Sequence, residues 1–269
     1  MPPTWCTNKC MLGMIHAGAM PGTPRQSAPL ADVIRRAAHE TEALMGAGFD
    51  GVIVENMHDV PYLNGAVGPE VVAGMTAVVA AVRGVARGLL GVQVLAGANC
   101  EALAVALAGG ADFVRVENFV FAHVADEGLM PTAAAGPLLR YRRQIGAEHI
   151  AVFADIKKKH ASHALTADVS LATTAAAAEF AGADGVIVTG VATGAPTAPA
   201  EVAAVRRAVK VPVAVGSGIT PENLPALWSH ADVFIVGSSL KRDGMWSNEL
   251  DPQRVAALAA AADALRRGS

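Results

Sequence analysis

One segment occurs four times in this chain, and its spacing limits the fold more than any other feature. Gly48-Phe49-Asp50-Gly51-Val52-Ile53-Val54-Glu55-Asn56 is matched by Gly110-Ala111-Asp112-Phe113-Val114-Arg115-Val116-Glu117-Asn118. It returns as Gly182-Ala183-Asp184-Gly185-Val186-Ile187-Val188-Thr189-Gly190, and in weaker form as His230-Ala231-Asp232-Val233-Phe234-Ile235-Val236-Gly237-Ser238. Each copy reads as a helix end, a glycine turn, an aspartate and a β-branched strand. Strands that are apolar throughout belong to parallel sheets covered on both faces. Four further short strands lie between the copies: Met11–His16, Gly91–Leu95, Val152–Ile156 and Val211–Val215. Helical patterns separate the strands. They run from Leu30 to Met45, then over Pro69–Arg87, Cys100–Ala108, Pro137–Ile145, Ser170–Ala181, Pro199–Val209 and Pro221–Ser229. Asp251-Pro252 opens the last helix as N-cap and first helical residue. Eight β/α units in 269 residues fit one α/β domain, a (βα)8 TIM barrel spanning 1–269.

Composition agrees. The chain is 52% hydrophobic and 17% charged, which excludes a disordered chain. Its longest largely apolar stretch, 71–82, ends at Arg83, short of the roughly 20 residues a spanning helix needs. The first fifteen residues carry Lys9 and too short an apolar run for a secretory signal. A net charge of −3 gives no broad attraction for nucleic acid. Cys6, Cys10 and Cys100 cannot build a disulfide framework and read as thiols of a reducing cytoplasm. An Ala/Val-rich exterior leaves room for a homo-oligomer.

In a barrel the strand C-termini carry the chemistry. His16 ends the first strand, Glu55 and Asn56 the second, Glu117 and Asn118 the fourth, Asp155 and Lys157 the fifth, and Thr189 and Gly190 the sixth. Side chains alternate along a strand. Aligning the repeats therefore puts Ile53, Arg115, Ile187 and Ile235 in one layer, and Glu55, Glu117, Thr189 and Gly237 in the next. If that face points inward, Arg115 lies beneath Glu117. An internal Arg–Glu pair would satisfy these charges. Alternatively the carboxylates Glu55, Glu117 and Asp155 transfer protons or hold Mg2+ or another divalent cation. The 157–159 lysine run reads first as a solvated basic loop; Lys157, next to the strand end, is the one of the three expected to face substrate, with Lys158 and Lys159 facing water. His16 reads as acid, base or metal ligand, or as a structural hydrogen-bond partner. His123 and Asp126 are lesser candidates.

The strongest local signal is Gly216-Ser217-Gly218-Ile219-Thr220-Pro221, which follows a strand and opens a helix with Thr220 as its expected N-cap. Backbone N–H groups in such a turn grip oxyanions. The next strand ends in Gly237-Ser238-Ser239. Loops after strands seven and eight are where barrels commonly bind phosphate. The predicted ligand is thus a phosphorylated small molecule.

Several of these strings together resemble the BtpA family over about 12–255. They are Met14-Ile15-His16-Ala17-Gly18-Ala19-Met20-Pro21-Gly22, Val54-Glu55-Asn56-Met57-His58-Asp59-Val60-Pro61, Ala154-Asp155-Ile156-Lys157, Gly216-Ser217-Gly218-Ile219-Thr220 and Ile235-Val236-Gly237-Ser238-Ser239-Leu240-Lys241. The resemblance implies a ribulose-phosphate-binding type of TIM barrel. The family name implies a role in photosystem I biogenesis, and members in organisms without photosystems imply a more general enzymatic activity. The chain departs from the family pattern after the third strand. There Leu95-Ala96-Gly97-Ala98-Asn99 replaces an Arg-Asn-Asp stretch, and at the end of the fourth strand Glu117 precedes Asn118 where Arg-Val-Asn is usual.

Three functions stay open at this stage. The first is an enzyme acting on a sugar phosphate or nucleotide by lyase, isomerase or glycosyl-transfer chemistry. The second is a non-catalytic biogenesis or stability factor bound peripherally to a membrane complex, with no membrane insertion. The third is a metal-dependent hydrolase using His16, Glu55, Glu117, Asp155 and His160.

Overall fold

A computed structural model describes residues 9–190, 194 and 196–268. Cys6 of the C-x3-C pair, and Val191, Ala192 and Thr193 of the loop after the sixth strand, lie outside them. Eight parallel strands close into a barrel: β1 (Cys10–His16), β2 (Gly51–Glu55), β3 (Leu89–Gln93), β4 (Phe113–Val116), β5 (Ala151–Ile156), β6 (Gly185–Thr189), β7 (Val213–Gly216) and β8 (Val233–Val236). The helices are α1 (Leu30–Gly46), α2 (Pro69–Val85), α3 (Asn99–Gly109), α4 (Ala135–Gln144), α5 (Leu171–Phe180), α6 (Pro199–Ala208), α7 (Leu224–Trp228) and α8 (Pro252–Arg267). The TIM barrel expected from the repeats is the fold observed.

The repeated aspartate has a physical task. Asp112 accepts the N–H of Leu90 at 2.8 Å, Asp184 that of Val152 at 2.8 Å, Asp232 that of Val213 at 2.9 Å and Asp50 that of Met11 at 2.7 Å. Each aspartate thus ties the start of the strand before it to the start of its own. Each also meets an arginine from an outer helix: Arg83 for Asp112, Arg142 for Asp184, Arg206 for Asp232 and Arg266 for Asp50. The result is a near-repeating clamp at the barrel's N-terminal end.

Inside, Leu12, Met14, Ile53, Phe113, Phe153, Ile187, Ala214 and Ile235 form the barrel floor. Phe113 and Phe153 meet edge to face at 5.6 Å. Their rings fill the space left by facing glycines. A Cβ on Gly91 would lie 2.3 Å from Phe113 Cζ, and one on Gly185 2.3 Å from Phe153 Cε1. Outward-facing valines and alanines pack the second core layer against the helices.

The loops that cap the mouth were not evident as structure in the sequence. His123–Ala125, Gly128–Met130 and Ala161–Ser162 pair antiparallel into a small flap. Asn64 Nδ2 donates to the carbonyls of Glu127 and Leu129, fastening the flap to the β2–α2 loop. A second correction concerns α7. Thr220 does not cap it, since the helix has five residues and begins at Leu224. Asn223 folds back instead, accepting from Thr220 N at 2.9 Å and donating to Gly218 O at 2.7 Å. These bonds stabilise a turn ahead of the helix.

Two outcomes follow from these contacts. Asp184→Ala is expected to cost about 1–3 kcal/mol in urea unfolding, because it leaves the Val152 N–H without its acceptor. Gly91→Ala should cost about 1–3 kcal/mol by overpacking, and Phe113→Leu in the same chain should recover much of that loss.

Candidate active site

A cavity of about 330 Å³ opens at the C-terminal mouth of the barrel. Glu55, Gln93, Arg115 and Glu117 rise from its floor, Tyr62 and Trp246 form walls, and Lys158 and Lys159 reach in from the flap loop. A smaller recess of about 30 Å³ joins it, lined by His16, Ser217, Gly218, Gly237 and Ser238. Glu55, Met57, Arg115 and Lys159 line both, so the two form one cleft.

The layers deduced from alternation are present, but the charge pairs differ from the expectation. Arg115 does not pair with Glu117. Its Nε and Nη2 donate to the two oxygens of Asp155 at 3.0 and 2.8 Å, both groups being buried. Asp155 projects from β5, hydrogen-bonded beside β4, and so lies closer to Arg115 than the residue above it on the same strand. Burial works against the guanidinium, yet Asp155 outweighs it and holds Arg115 firmly charged. Glu117 instead takes Lys158, at 3.2 Å, and Lys158 also meets Glu127 at 3.4 Å.

Among the described residues the Glu55 carboxylate has no hydrogen bond of this kind. Burial raises its pKa above the ordinary carboxylate range, against the opposing pull of Arg115 and Lys159. Its Oε2 lies 3.9 Å from His16 Nε2. Burial, reinforced by Lys241, pushes His16 down to about 3, so its ring is neutral at pH 7. His16 Nδ1 lies 2.9 Å from the Trp246 carbonyl, an acceptor, so Nδ1 carries the hydrogen and the Nε2 lone pair faces Glu55. Gly237 is small because a Cβ there would sit 3.3 Å from His16 Nε2. Lys159 makes no hydrogen bond or ion pair among the described residues. Burial and the Arg115 charge lower its pKa.

Several predicted site residues lie elsewhere. Lys157 turns away from the cleft. Its backbone is left-handed (φ 51°), which breaks the strand alternation, and Nζ donates to Val169 O at 2.5 Å. That same turn carries Lys158 and Lys159 inward, where water had been expected. Asn56 is structural: Oδ1 accepts from Leu95 N at 2.7 Å and Nδ2 donates to Asp59 at 2.8 Å. Asn118 faces a side cleft with His123 and Lys157, and its Nδ2 donates to Thr132 O. Thr189 Oγ1 is buried without a hydrogen bond among the described residues, and neighbouring Gly190 is also buried. Gly216 O accepts from Thr197, and Ser239 Oγ donates to Ile219 O at 2.6 Å, so both serve the turns. Ser217, Gly218, Gly237 and Ser238 remain at the recess, and Ser217 holds the left-handed φ of 75°.

Glu55, Glu117 and Asp155 do not converge on a cation position. Arg115 occupies both oxygens of Asp155, and Lys158 engages Glu117. Among the described residues no three His, Cys, Asp or Glu side chains are placed to hold a metal ion.

Gln93, Tyr62, Glu127 and Trp246 line the larger cavity and were missed. Gln93 pairs in register with Glu55, so extending the layer alignment to the third strand would have found it. Trp246 arrives on the segment after β8 and had no local signal.

Comparison with known proteins agrees with the barrel and its sequence motifs. The model of the BtpA family matches residues 7–264. An uncharacterised mitochondrial protein of Caenorhabditis elegans is 45% identical over 262 residues, 96% of this chain and 94% of the other. The photosystem I biogenesis protein BtpA of Synechocystis is 37% identical over 255 residues, 94% of this chain and 88% of the other. Among solved structures, thiamine phosphate pyrophosphorylase of Pyrococcus furiosus aligns with a TM-score of 0.58 at 14% identity, covering 98% of this chain and 99% of that one. No described helix is long and apolar enough to cross a membrane. On the strength of the family match and these relatives, the chain belongs to the BtpA family.

Proposed function

We propose that this protein is a cytoplasmic enzyme that acts on a phosphorylated small molecule by acid–base chemistry in the mouth of its barrel. The carrying observation is the continuity of the cleft. The Ser217-Gly218 and Gly237-Ser238 turns form one end, and Glu55, Arg115 and Lys159 stand where it opens into the larger cavity. In this reading the two turns hold the phosphate, with Arg115 and Lys159 supplying positive charge beside it. Glu55, whose pKa burial raises, is the acid–base group, and the neutral Nε2 of His16 faces it. The fold neighbour's name, which carries a phosphate ester, supports the same ligand class. No step requires a divalent cation held by Glu55, Glu117 and Asp155.

A non-catalytic role in assembling a membrane complex is the second reading. It is favoured by the name of the Synechocystis relative and by Leu63, Val124 and Leu129, which are exposed around the flap. The enclosed charges at the mouth favour the enzyme, since a scaffold gains nothing from burying them.

A thermal-shift series tests the ligand class. Ribose 5-phosphate or a nucleoside monophosphate at a hundred times Kd should add about 2.7 kcal/mol, a rise in Tm of roughly 5–10 °C for a chain of this size. Ser217→Asp, which sets a carboxylate in the recess, should abolish the rise. Mg2+ alone should leave Tm unchanged. No shift with any phosphorylated sugar or nucleotide, with or without Mg2+, would sink the reading.

The neutral His16 can be checked separately. Its folded pKa, about 3, lies below the unfolded value of about 6.5. The unfolded chain therefore binds the extra proton between those values, and stability present above pH 6.5 is lost as pH falls toward 3. His123, lowered to about 4 by burial and Lys158, acts in the same sense. The Tm of His16→Gln should accordingly fall less steeply with acid than that of the unsubstituted chain.

A further inference from the structure

The larger cavity is too apolar for a bare sugar phosphate. Its walls include Met57, Val60, Pro61, Leu95 and two aromatic rings, those of Tyr62 and Trp246. Hydroxyl groups of a polyol pressed against such walls would lose their hydrogen bonds to water without replacement. Flat rings suit these walls, because they bury large apolar faces and stack on aromatic side chains.

The floor also carries a buried amide whose oxygen the protein leaves unpaired. Gln93 is 2% exposed, and its Oε1 has no hydrogen-bond partner among the described residues. Of the buried polar side-chain atoms in that condition, it is the one whose residue lines this cavity. Of the charged groups around it, Lys158 bridges Glu117 and Glu127 and His160 faces Asp126 at 3.8 Å, while Glu55 and Lys159 are shared with the recess. A buried unsatisfied amide is costly unless something else pairs with it. A side-chain amide offers one donor and one acceptor side by side, in either orientation of the group. That is the complement of a heterocycle edge with adjacent acceptor and donor atoms, as in the bidentate pairing of glutamine with a nucleobase.

We infer that the substrate is a nucleoside monophosphate whose base occupies the larger cavity, its edge on the Gln93 amide and its face against Trp246. The inference rests on the phosphate reading of the recess and extends it. Phosphate lies at Ser217 and Ser238, the base lies at Gln93, and the sugar between them passes Glu55, Arg115 and Lys159. The volumes agree with this division, about 30 Å³ at the phosphate end and about 330 Å³ at the base end. Mostly apolar cavities with a few fixed polar groups are the common form of small-molecule sites.

Calorimetry on the full chain with AMP, GMP, CMP, UMP, ribose 5-phosphate and inorganic phosphate tests it. The best nucleotide should bind at least about tenfold more tightly than ribose 5-phosphate, a difference of about 1.4 kcal/mol. Gln93→Leu should remove that advantage and leave the affinity for ribose 5-phosphate unchanged. Because the substitution deletes an unpaired polar group, the free variant should melt at the same temperature or higher. A Gln93→Leu chain that melts several degrees lower, or that loses ribose 5-phosphate and nucleotide alike, would make Gln93 structural and overturn the inference. Ribose 5-phosphate binding as tightly as every nucleotide would overturn the base site while leaving the phosphate reading intact. No binding by any of the six would overturn both.

Discussion

Everything at the mouth of this barrel depends on strand register, and register is set at the opposite end. Asp50, Asp112, Asp184 and Asp232 each clamp the preceding strand by the backbone N–H of its first or second residue. A slip of one residue would send every inward side chain outward. With register fixed, alternation stacks the interior in layers. Phe113 and Phe153 fill the floor, Ile53 and Ile187 cover them, and Glu55 and Thr189 follow. The clamp is thus a stability device whose consequence is the placement of chemistry at the other end of the barrel.

Once the layers are fixed, the buried charges sort themselves by reach. Arg115 and Asp155 sit on hydrogen-bonded neighbours, β4 and β5, and close a bidentate pair. Lys158 comes down from the flap and satisfies Glu117 and Glu127 together. Among the described residues these matches leave Glu55 and Lys159 without a strong partner, and His16 with a carbonyl in place of a charge. Burial then acts on each in the direction that removes charge: Glu55 is raised, and His16 and Lys159 are lowered. Groups whose pKa is shifted in this direction beside a fixed guanidinium are suited to moving protons.

The barrel was legible because its signal is local and repeated. The Gly-x-Asp turn and the apolar strand behind it recur, so four noisy readings reinforce one another. Alternation along those strands also placed Glu55 and Arg115 correctly. It failed where the backbone leaves the strand conformation. At Lys157 a left-handed residue reverses the sense of the run, so the lysines that enter the cleft are the two expected to face water. The Arg115–Glu117 pairing failed for a different reason. Partners within one strand were visible in the sequence, whereas the contact between β4 and β5 is known only once the sheet is closed. The flap and Trp246 had no sequence signal, because each is positioned by contacts with distant segments.

Trp246 shows how far such contacts extend. Its segment follows β8 and is anchored by Lys241, which is fully buried and donates to Glu40 of α1 at 2.7 Å. Burial lowers the Lys241 pKa against the pull of Glu40, so the ion pair is held by geometry in a place where water cannot substitute for either partner. From that anchor the chain rises to set the Trp246 carbonyl on His16 Nδ1 and its ring against His58, centroids 4.9 Å apart. The tautomer of His16 is therefore decided by a residue 230 positions away in sequence. Loosening the anchor would free the imidazole to turn and take its base nitrogen off Glu55. In a chain that is only 17% charged, two buried residues behind the cleft help hold one neutral imidazole in orientation. Precise placement of that ring is what the proposed acid–base chemistry requires, and a docking surface would not need it.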